Sequence, residues 1–267
     1  MKPIDYVEAR HKSVRKANDL IQKSRFKLNL RQQKIMLYLI SQIKPTDNEF
    51  NTYRFNIAEF CRVAGIEYNG RSYEELKDEI KNIADKSYWI TLEDGETETL
   101  VRWIEKPKIY KNRGIIELRL DEDLRPYLLN LRNCYTQYQL IYTLSFKHRR
   151  SIRLYELVCS IHYNELDEYK RVFELNNLKC ILDAENYTEY KYFRRDVLET
   201  CVKEITNNSD KNLSYTPIKN GRKVISIEFT ISTKKPIERI ALHDRLDKEL
   251  GTDQITFYDE LKEKGYV

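Results

Sequence analysis

The sequence predicts an α+β chain of two tandem winged helix-turn-helix domains, the second a pseudo-repeat of the first, followed by a helical tail. Three observations predict it. Between residues 28 and 120 the apolar spacing runs helix, strand, helix, helix, hairpin. The same order returns between residues 151 and 232. The two stretches also align, YKRVFELNNLKCILDA on YRFNIAEFCRVAG, with Phe173 on Phe55, Leu175 on Ile57, Leu178 on Phe60 and Leu182 on Ala64. A unit that recurs with its apolar positions in register is one small fold used twice.

In the first unit, LNLRQQKIMLYLISQI places Ile35, Leu37, Leu39, Ile40 and Ile43 in a helical segment that Pro45 ends. After the extended NTYRF, Asn56 can cap a short helix IAEFCRVAG, with Glu59 three residues on and Gly65 at its end. Ser72 and Glu75 read as a capping box ahead of a third helix, which gathers Leu76, Ile80, Ile83 and Ala84 on one face. Residues 88–92, 97–104 and 115–120 follow as strands, turning at Asp94-Gly95 and at Asn112 to Gly114.

The second unit opens with a helix around SIRLYELVCSIHY. Its third helix, over residues 189–207, repeats Phe193, Val197, Cys201 and Ile205 at helical spacing. Strands over 213–218 and 224–232 join through Lys219-Asn220-Gly221-Arg222-Lys223, and Asn-Gly between strands is a strong hairpin signal. Residues 125–138 read as the link, since Pro126 interrupts the pattern and a strand over 133–138 can open the second unit. The expected domains are therefore 1–130 and 131–235, with a helical tail, 236–267, that belongs to neither repeat.

Composition narrows the function. With 33% charged and 41% hydrophobic residues and only 7 Gly, the chain can pack a core beneath a densely charged surface. A net charge of +5 leans towards nucleic acid. Residues 1–27 lack the apolar stretch of a signal peptide, and no run reaches the roughly 18 apolar residues of a membrane span, so a cytoplasmic protein without a membrane partner is expected. Cys61, Cys134, Cys159, Cys180 and Cys201 form no CxxC pair and have no histidines at zinc spacing, and no metal or cofactor is expected. Cys61 and Cys201 fall in apolar helical patterns and read as buried thiols. Of the 20 tyrosines, Tyr110, Tyr163, Tyr187, Tyr190 and Tyr192 lie near basic residues and read as half-buried packing. A nicking tyrosine needs a metal-holding histidine pair, and His11, His148, His162 and His243 are scattered; nor is there a phosphate loop or GxSxG. The reading is a binding protein, not an enzyme.

In a helix-turn-helix protein the last helix of the motif enters the major groove, so its outward residues are the candidates for base contact. At about 100° per residue, an inward Phe193, Val197, Cys201 and Ile205 leave Tyr192, Arg195, Glu199 and Lys203 outward, with Lys191 beside them. Arg194 lies nearer the core side, where it can snorkel outward. Arginine can donate two bonds to guanine and glutamate can accept from cytosine. Lys147, Arg149, Arg150 and Arg153 with His148, and the wing residues Lys219, Arg222 and Lys223, are expected on phosphates. The equivalent helix of the first unit carries Glu74, Glu75, Asp78, Glu79, Asn82 and Asp85 outward, which repels phosphate. That unit is expected to meet DNA through Arg71 at its helix start, its wing (Lys106, Lys108, Lys111 and Arg113) and the basic N-terminal segment, or to meet protein.

KANDLIQKSRFKLNLRQQKIMLYLISQI, SIRLYELV, and YKYFRRDVLETCVKEIT followed by NLSYTPIKNGRKVISIEFTI together resemble the RepB/RepE-type initiators of theta-replicating plasmids. The resemblance covers the chain to about Lys235. It implies a monomer that binds directly repeated origin sites (iterons) in double-stranded DNA through both domains, with Lys191, Tyr192, Arg194 and Arg195 on the base-reading helix. It further implies recruitment of host replication proteins, and a homodimer through the N-terminal domain that represses the initiator's own gene. A dimeric repressor with a single inverted operator is the alternative, and an origin-nicking enzyme a remote third.

Overall fold

The computed structural model describes residues 5–92, 94–110, 113–161 and 168–263. The opening residues, which show no apolar spacing, are built into the fold as helix α1 (Tyr6–Arg10), strand β1 (Ser13–Ala17) and helix α2 (Asn18–Gln22). β1 turns Val14 and Lys16 inward and pairs antiparallel with residues 135–139, from Ser13 opposite Gln139 to Ala17 opposite Tyr135. This pairing ties down the basic N-terminal segment that the sequence alone assigns to DNA.

Helix α3 (Leu30–Ile40) starts at a capping box, the Asn29 side chain accepting from the Gln32 N–H and the Gln32 side chain from the Asn29 N–H. Strand β2 (Tyr53–Asn56) delivers Asn56 as the cap of α4 (Ile57–Val63), where it accepts from the Ala58 N–H. Helix α5 (Gly70–Ala84) begins earlier than expected, because Asn69 is the cap and Ser72 its partner in the first turn. The strands that follow form two sheets. β3 (Ser87–Thr91) pairs with β4 (Glu98–Arg102), while β5 (Ile104–Tyr110) pairs with β6 (Ile115–Leu120), which also pairs with β2. The single strand expected over 97–104 breaks at Trp103, whose ring is buried against Phe26 and Tyr88 and so cannot follow the strand alternation.

A short helix α6 (Arg125–Leu128) leads to β7 (Tyr135–Gln139), α7 (Leu140–Ser145) and α8 (Arg149–Ile161). The border expected at residue 130 therefore falls inside a shared region: β7 completes the sheet begun by β1, and α8 packs against α2 and α3 as well as the second unit. That unit continues with β8 (Tyr169–Glu174), α9 (Leu175–Ile181), and one helix over residues 190–208 made of α10 (Tyr190–Phe193), a π-turn (Arg194–Leu198) and α11 (Glu199–Asn208). β9 (Lys211–Asn220) and β10 (Lys223–Thr233) form the wing, with strand order β8-β10-β9. Phe55, Ile57, Phe60 and Ala64 are buried, as are Leu175, Leu178 and Leu182, while Phe173 is half-buried against Phe229. The repeated positions thus build the core of both units. Cys61 and Cys201 are buried in it.

Past Pro236 the chain forms one long helix, α12 (Pro236–Glu263), seated on α4 and α7. Leu242, Leu246 and Leu250 supply its buried stripe. Gly65 sits at φ +62°, and a Cβ there would lie 2.6 Å from Leu250 Cδ2. Arg10 donates to the carbonyls of Arg62 at 2.8 Å, Val63 at 3.1 Å and Leu250 at 2.9 Å. His11 Nε2 lies 2.7 Å from Asp247 Oδ2, and Tyr142 shares a 2.7 Å hydrogen bond with His243. Arg245 donates to the Asn207 carbonyl at 2.7 Å, so the same helix holds both units. Among the described residues no helix is long and apolar enough to cross a membrane.

Candidate nucleic-acid interface

Helix 190–208 buries Phe193, Val197, Leu198, Cys201 and Ile205 almost completely. Its opposite side leaves Lys191, Tyr192, Arg195, Glu199 and Lys203 exposed to solvent. Arg194 is also exposed, not drawn to the core side as the 100° spacing suggests. The cause is local: the Glu199 N–H bonds to the Arg194 carbonyl, five residues back, so this turn holds one residue more than an α-turn.

The two arginines meet carboxylates of their own helix. Arg194 Nε lies 3.2 Å from Glu199 Oε1, and Arg195 grips Asp196 with a two-pronged contact, Nε to Oδ1 at 2.5 Å and Nη2 to Oδ2 at 2.9 Å. The Arg195 guanidinium also lies over the Tyr192 ring at 5.3 Å. Its hydrogen bond and charge hold the Asp196 carboxyl below the usual range. Both pairs stand in solvent, where water and salt screen an ion pair, so they remain exchangeable for a ligand.

The wing rises beside this helix, rooted by Thr206, whose hydroxyl accepts from the Leu213 N–H and donates to its carbonyl, both at 3.1 Å. Its tip is a two-residue loop, Gly221-Arg222, with Asn220 opposite Lys223 and Gly221 at φ +60°. Lys219, Arg222 and Lys223 are exposed there, and none has an ion-pair partner among the described residues. Unpaired cations on a hairpin suit phosphate.

The basic cluster before and within α8 divides. Lys147 is exposed. Arg149 forms a 2.6 Å bridge to Asp183, and Arg150 donates to the Leu182 and Asp183 carbonyls with its guanidinium 5.4 Å from the Tyr187 ring centroid. Both clip down the loop after α9. Arg153 is not a DNA contact at all. It is buried, donates to the Ile21 and Ser24 carbonyls at 3.2 and 3.3 Å, covers Phe26, and lies 3.6 Å from Glu156. It points into the seam because α8 is covered on both sides. Glu156 in turn accepts from Lys16 at 2.6 Å and Tyr138 at 2.5 Å, a buried cluster that charge counting does not reveal.

In the first unit the acidic helix is partly spoken for. Glu75 binds Arg31 and Arg71, and Glu79 accepts from Asn29 and Gln32 at the start of α3. Glu74, Asp78, Asn82 and Asp85 remain exposed. Lys108 and Arg54 converge on Glu117, and their hydrogen bonds hold its carboxyl down at about 2. Lys106, Arg113 and Arg71 are exposed, whereas Lys111, like Tyr163 and His162, lies outside the described residues. Trp89 and Leu100, which no motif or periodicity singles out, stand opposite each other on the β3–β4 pair, both about half exposed. Among the described residues no three His, Cys, Asp or Glu groups cluster to hold a metal.

Comparison with known proteins follows this division. The winged-helix 1 model of the initiator replication proteins matches residues 13–159, and the winged-helix 2 model of the initiator Rep proteins matches residues 174–231. The chain belongs to the initiator replication protein family. This initiator is similar to an uncharacterized 27.6 kDa protein of Escherichia coli, 20% identical over 226 residues that cover 80% of this chain and 93% of the relative. Among solved structures it is similar to the Pi initiator protein in complex with iteron DNA, with a TM-score of 0.70, 19% identity, and coverage of 85% of this chain and 99% of that one. It also matches domains 2 and 3 of RctB, at a TM-score of 0.45, 14% identity and 82% coverage of both chains. The first of these matches ends within the last turn of α8, and α12 lies beyond both.

Proposed function

We propose that this initiator binds directly repeated double-stranded sites, iterons, at a plasmid replication origin, and that it works by binding and distorting DNA and recruiting host replication proteins, without bond chemistry. One observation carries the reading: helix 190–208 turns a polar, arginine-bearing face to solvent beside a wing whose three cations have no ion-pair partner among the described residues. The Pi initiator, of like fold, binds iteron DNA, which supports the same ligand class here. Lys147 and Arg113, also exposed and without carboxylate partners among the described residues, extend the phosphate-binding surface. Footprinting across the DNA beside the gene tests this. An array of direct repeats protected by monomers is the expected result, and a lone palindrome, or no protection, overturns it. Incubation of supercoiled plasmid with protein and Mg²⁺ is expected to leave the DNA uncut, and a covalent tyrosine adduct refutes the non-enzymatic reading.

A dimer through the N-terminal domain, repressing the initiator's own gene, is favoured by the exposed Trp89–Leu100 pair. On this reading Trp89→Lys shifts sedimentation to monomer while direct-repeat binding persists. Unchanged sedimentation of a dimeric wild type places the interface elsewhere.

A further inference from the structure

The π-turn in helix 190–208 has a geometric effect on the whole helix. Phe193, Val197, Cys201 and Ile205 are spaced by four, and in a straight α-helix such a spacing drifts by about 40° per step, about 120° from first to last. One extra residue in the turn takes back about 100° and leaves about 20°. That is why all four are buried to 1% exposure or less, with Leu198 beside them. The same arithmetic applies on the other side. Lys191, Arg195, Glu199 and Lys203 are also spaced by four, and all are exposed. The Arg194–Glu199 pair at 3.2 Å, five residues apart, is a second mark of the wider turn, since regular α-geometry brings together residues three or four apart.

Resting on the reading of this helix as the major-groove element, we propose that the extra residue is a specificity device: it lines up Lys191, Arg195, Glu199 and Lys203 in one file parallel to the helix axis, so that base readout extends along the helix to Glu199 and Lys203. Twelve residues at 1.5 Å each give a file about 18 Å long. At 3.4 Å per base pair this is about five steps. Reading helices otherwise touch bases mainly through their first turns. Within the file, Arg195 suits guanine, Glu199 the amino group of cytosine, and the two lysines guanine or phosphate.

The test is selection of binding sites from randomised double-stranded DNA by the full chain and by the single variants Arg195→Ala, Glu199→Gln and Lys203→Ala. These side chains are exposed, so folding is checked by thermal melting and is expected to be unchanged. The wild type selects one preferred sequence. Arg195→Ala relaxes preference at one position and Glu199→Gln at a different one, each by about 5- to 150-fold, and Lys203→Ala acts beyond Glu199. If Glu199→Gln and Lys203→Ala select the wild-type sequence with unchanged discrimination while Arg195→Ala does not, the file is refuted and only the first turns read. If the wild type selects no sequence at all, the DNA-reading role itself fails.

Discussion

Glu156 is a buried anion between two buried cations, and its removal has a calculable consequence. It is 1% exposed and receives Lys16 from β1 at 2.6 Å, Tyr138 from β7 at 2.5 Å and Arg153 from its own helix at 3.6 Å. Lys16 and Arg153 are themselves nearly inaccessible. Glu156→Ala leaves both cations without a counter-charge, and breaking a buried pair in this way costs about 3–5 kcal/mol. For a chain of this size each kcal/mol moves Tm by about 2–4 °C, so a drop of roughly 6–20 °C is expected. Urea unfolding followed by circular dichroism, with a thermal scan beside it, measures both quantities. Replacing the group as a whole, Lys16→Met and Arg153→Met with Glu156→Leu and Tyr138→Phe, is expected to recover much of the loss, because well-packed apolar substitutes for buried ions are often neutral. A loss below about 1 kcal/mol for Glu156→Ala refutes the reasoning, since it requires water or rearrangement to neutralise the seam.

Other outcomes follow from the same contacts. Arg153→Ala lowers stability and leaves sequence preference intact in the folded protein, whereas Arg195→Ala costs about 1–3 kcal/mol on the preferred site and changes the preference. Lys223→Ala weakens all sequences alike and flattens the salt dependence of binding by about one unit, as titration at several salt concentrations shows. Gly65→Ala pays about 1–2 kcal/mol for the left-handed backbone and drives a methyl into Leu250, so limited proteolysis cuts α12 sooner. Leu250→Ala removes the clash, making the double variant less unstable than the two losses summed. Burial lowers the Lys34 amine to about 8 from an ordinary 10.5, while its Nζ donates to the Leu144 carbonyl at 2.6 Å. Between those values the unfolded chain holds more protons than the folded one, so stability rises with pH. From about pH 7.5 to 9.5 the wild type should gain roughly 2 kcal/mol relative to Lys34→Met, and equal slopes in denaturant unfolding contradict this.

Much of helix 190–208 is legible because Phe193, Val197, Cys201 and Ile205 are local and periodic, and the wing because Asn220-Gly221 marks a hairpin. What stayed hidden depends on distant chain. β1 contains Arg15 and Lys16 and looks like a charged leader, yet its partner lies some 120 residues on, and Lys16 is admitted to the interior only by Glu156. Arg153 looked solvated because an amphipathic helix is assumed to have one wet face, while α8 is covered by α2 and by the reading helix. The start of α5 was misplaced because Asn69 and Ser72 are both good caps and tertiary contacts choose between them. Trp89 and Leu100 escaped notice because a two-stranded sheet with one wet apolar pair carries no periodic signature of exposure. The π-turn hid in plain view: a strict repeat of four over thirteen residues does not fit 3.6 per turn.

Through Arg10, Gly65 and Arg245, α12 laces the beginning of one winged helix to the end of helix 190–208 in the other. Such lacing makes the molecule a ruler. With both units on one duplex, adding one base pair between the two footholds turns the far one by about 34–36° and moves it 3.4 Å, and the contacts of α12 to both units oppose both changes. The distance between half-sites should then be as strict a requirement as the letters within them, and a chain cut before Pro236 should tolerate spacers that the intact one rejects.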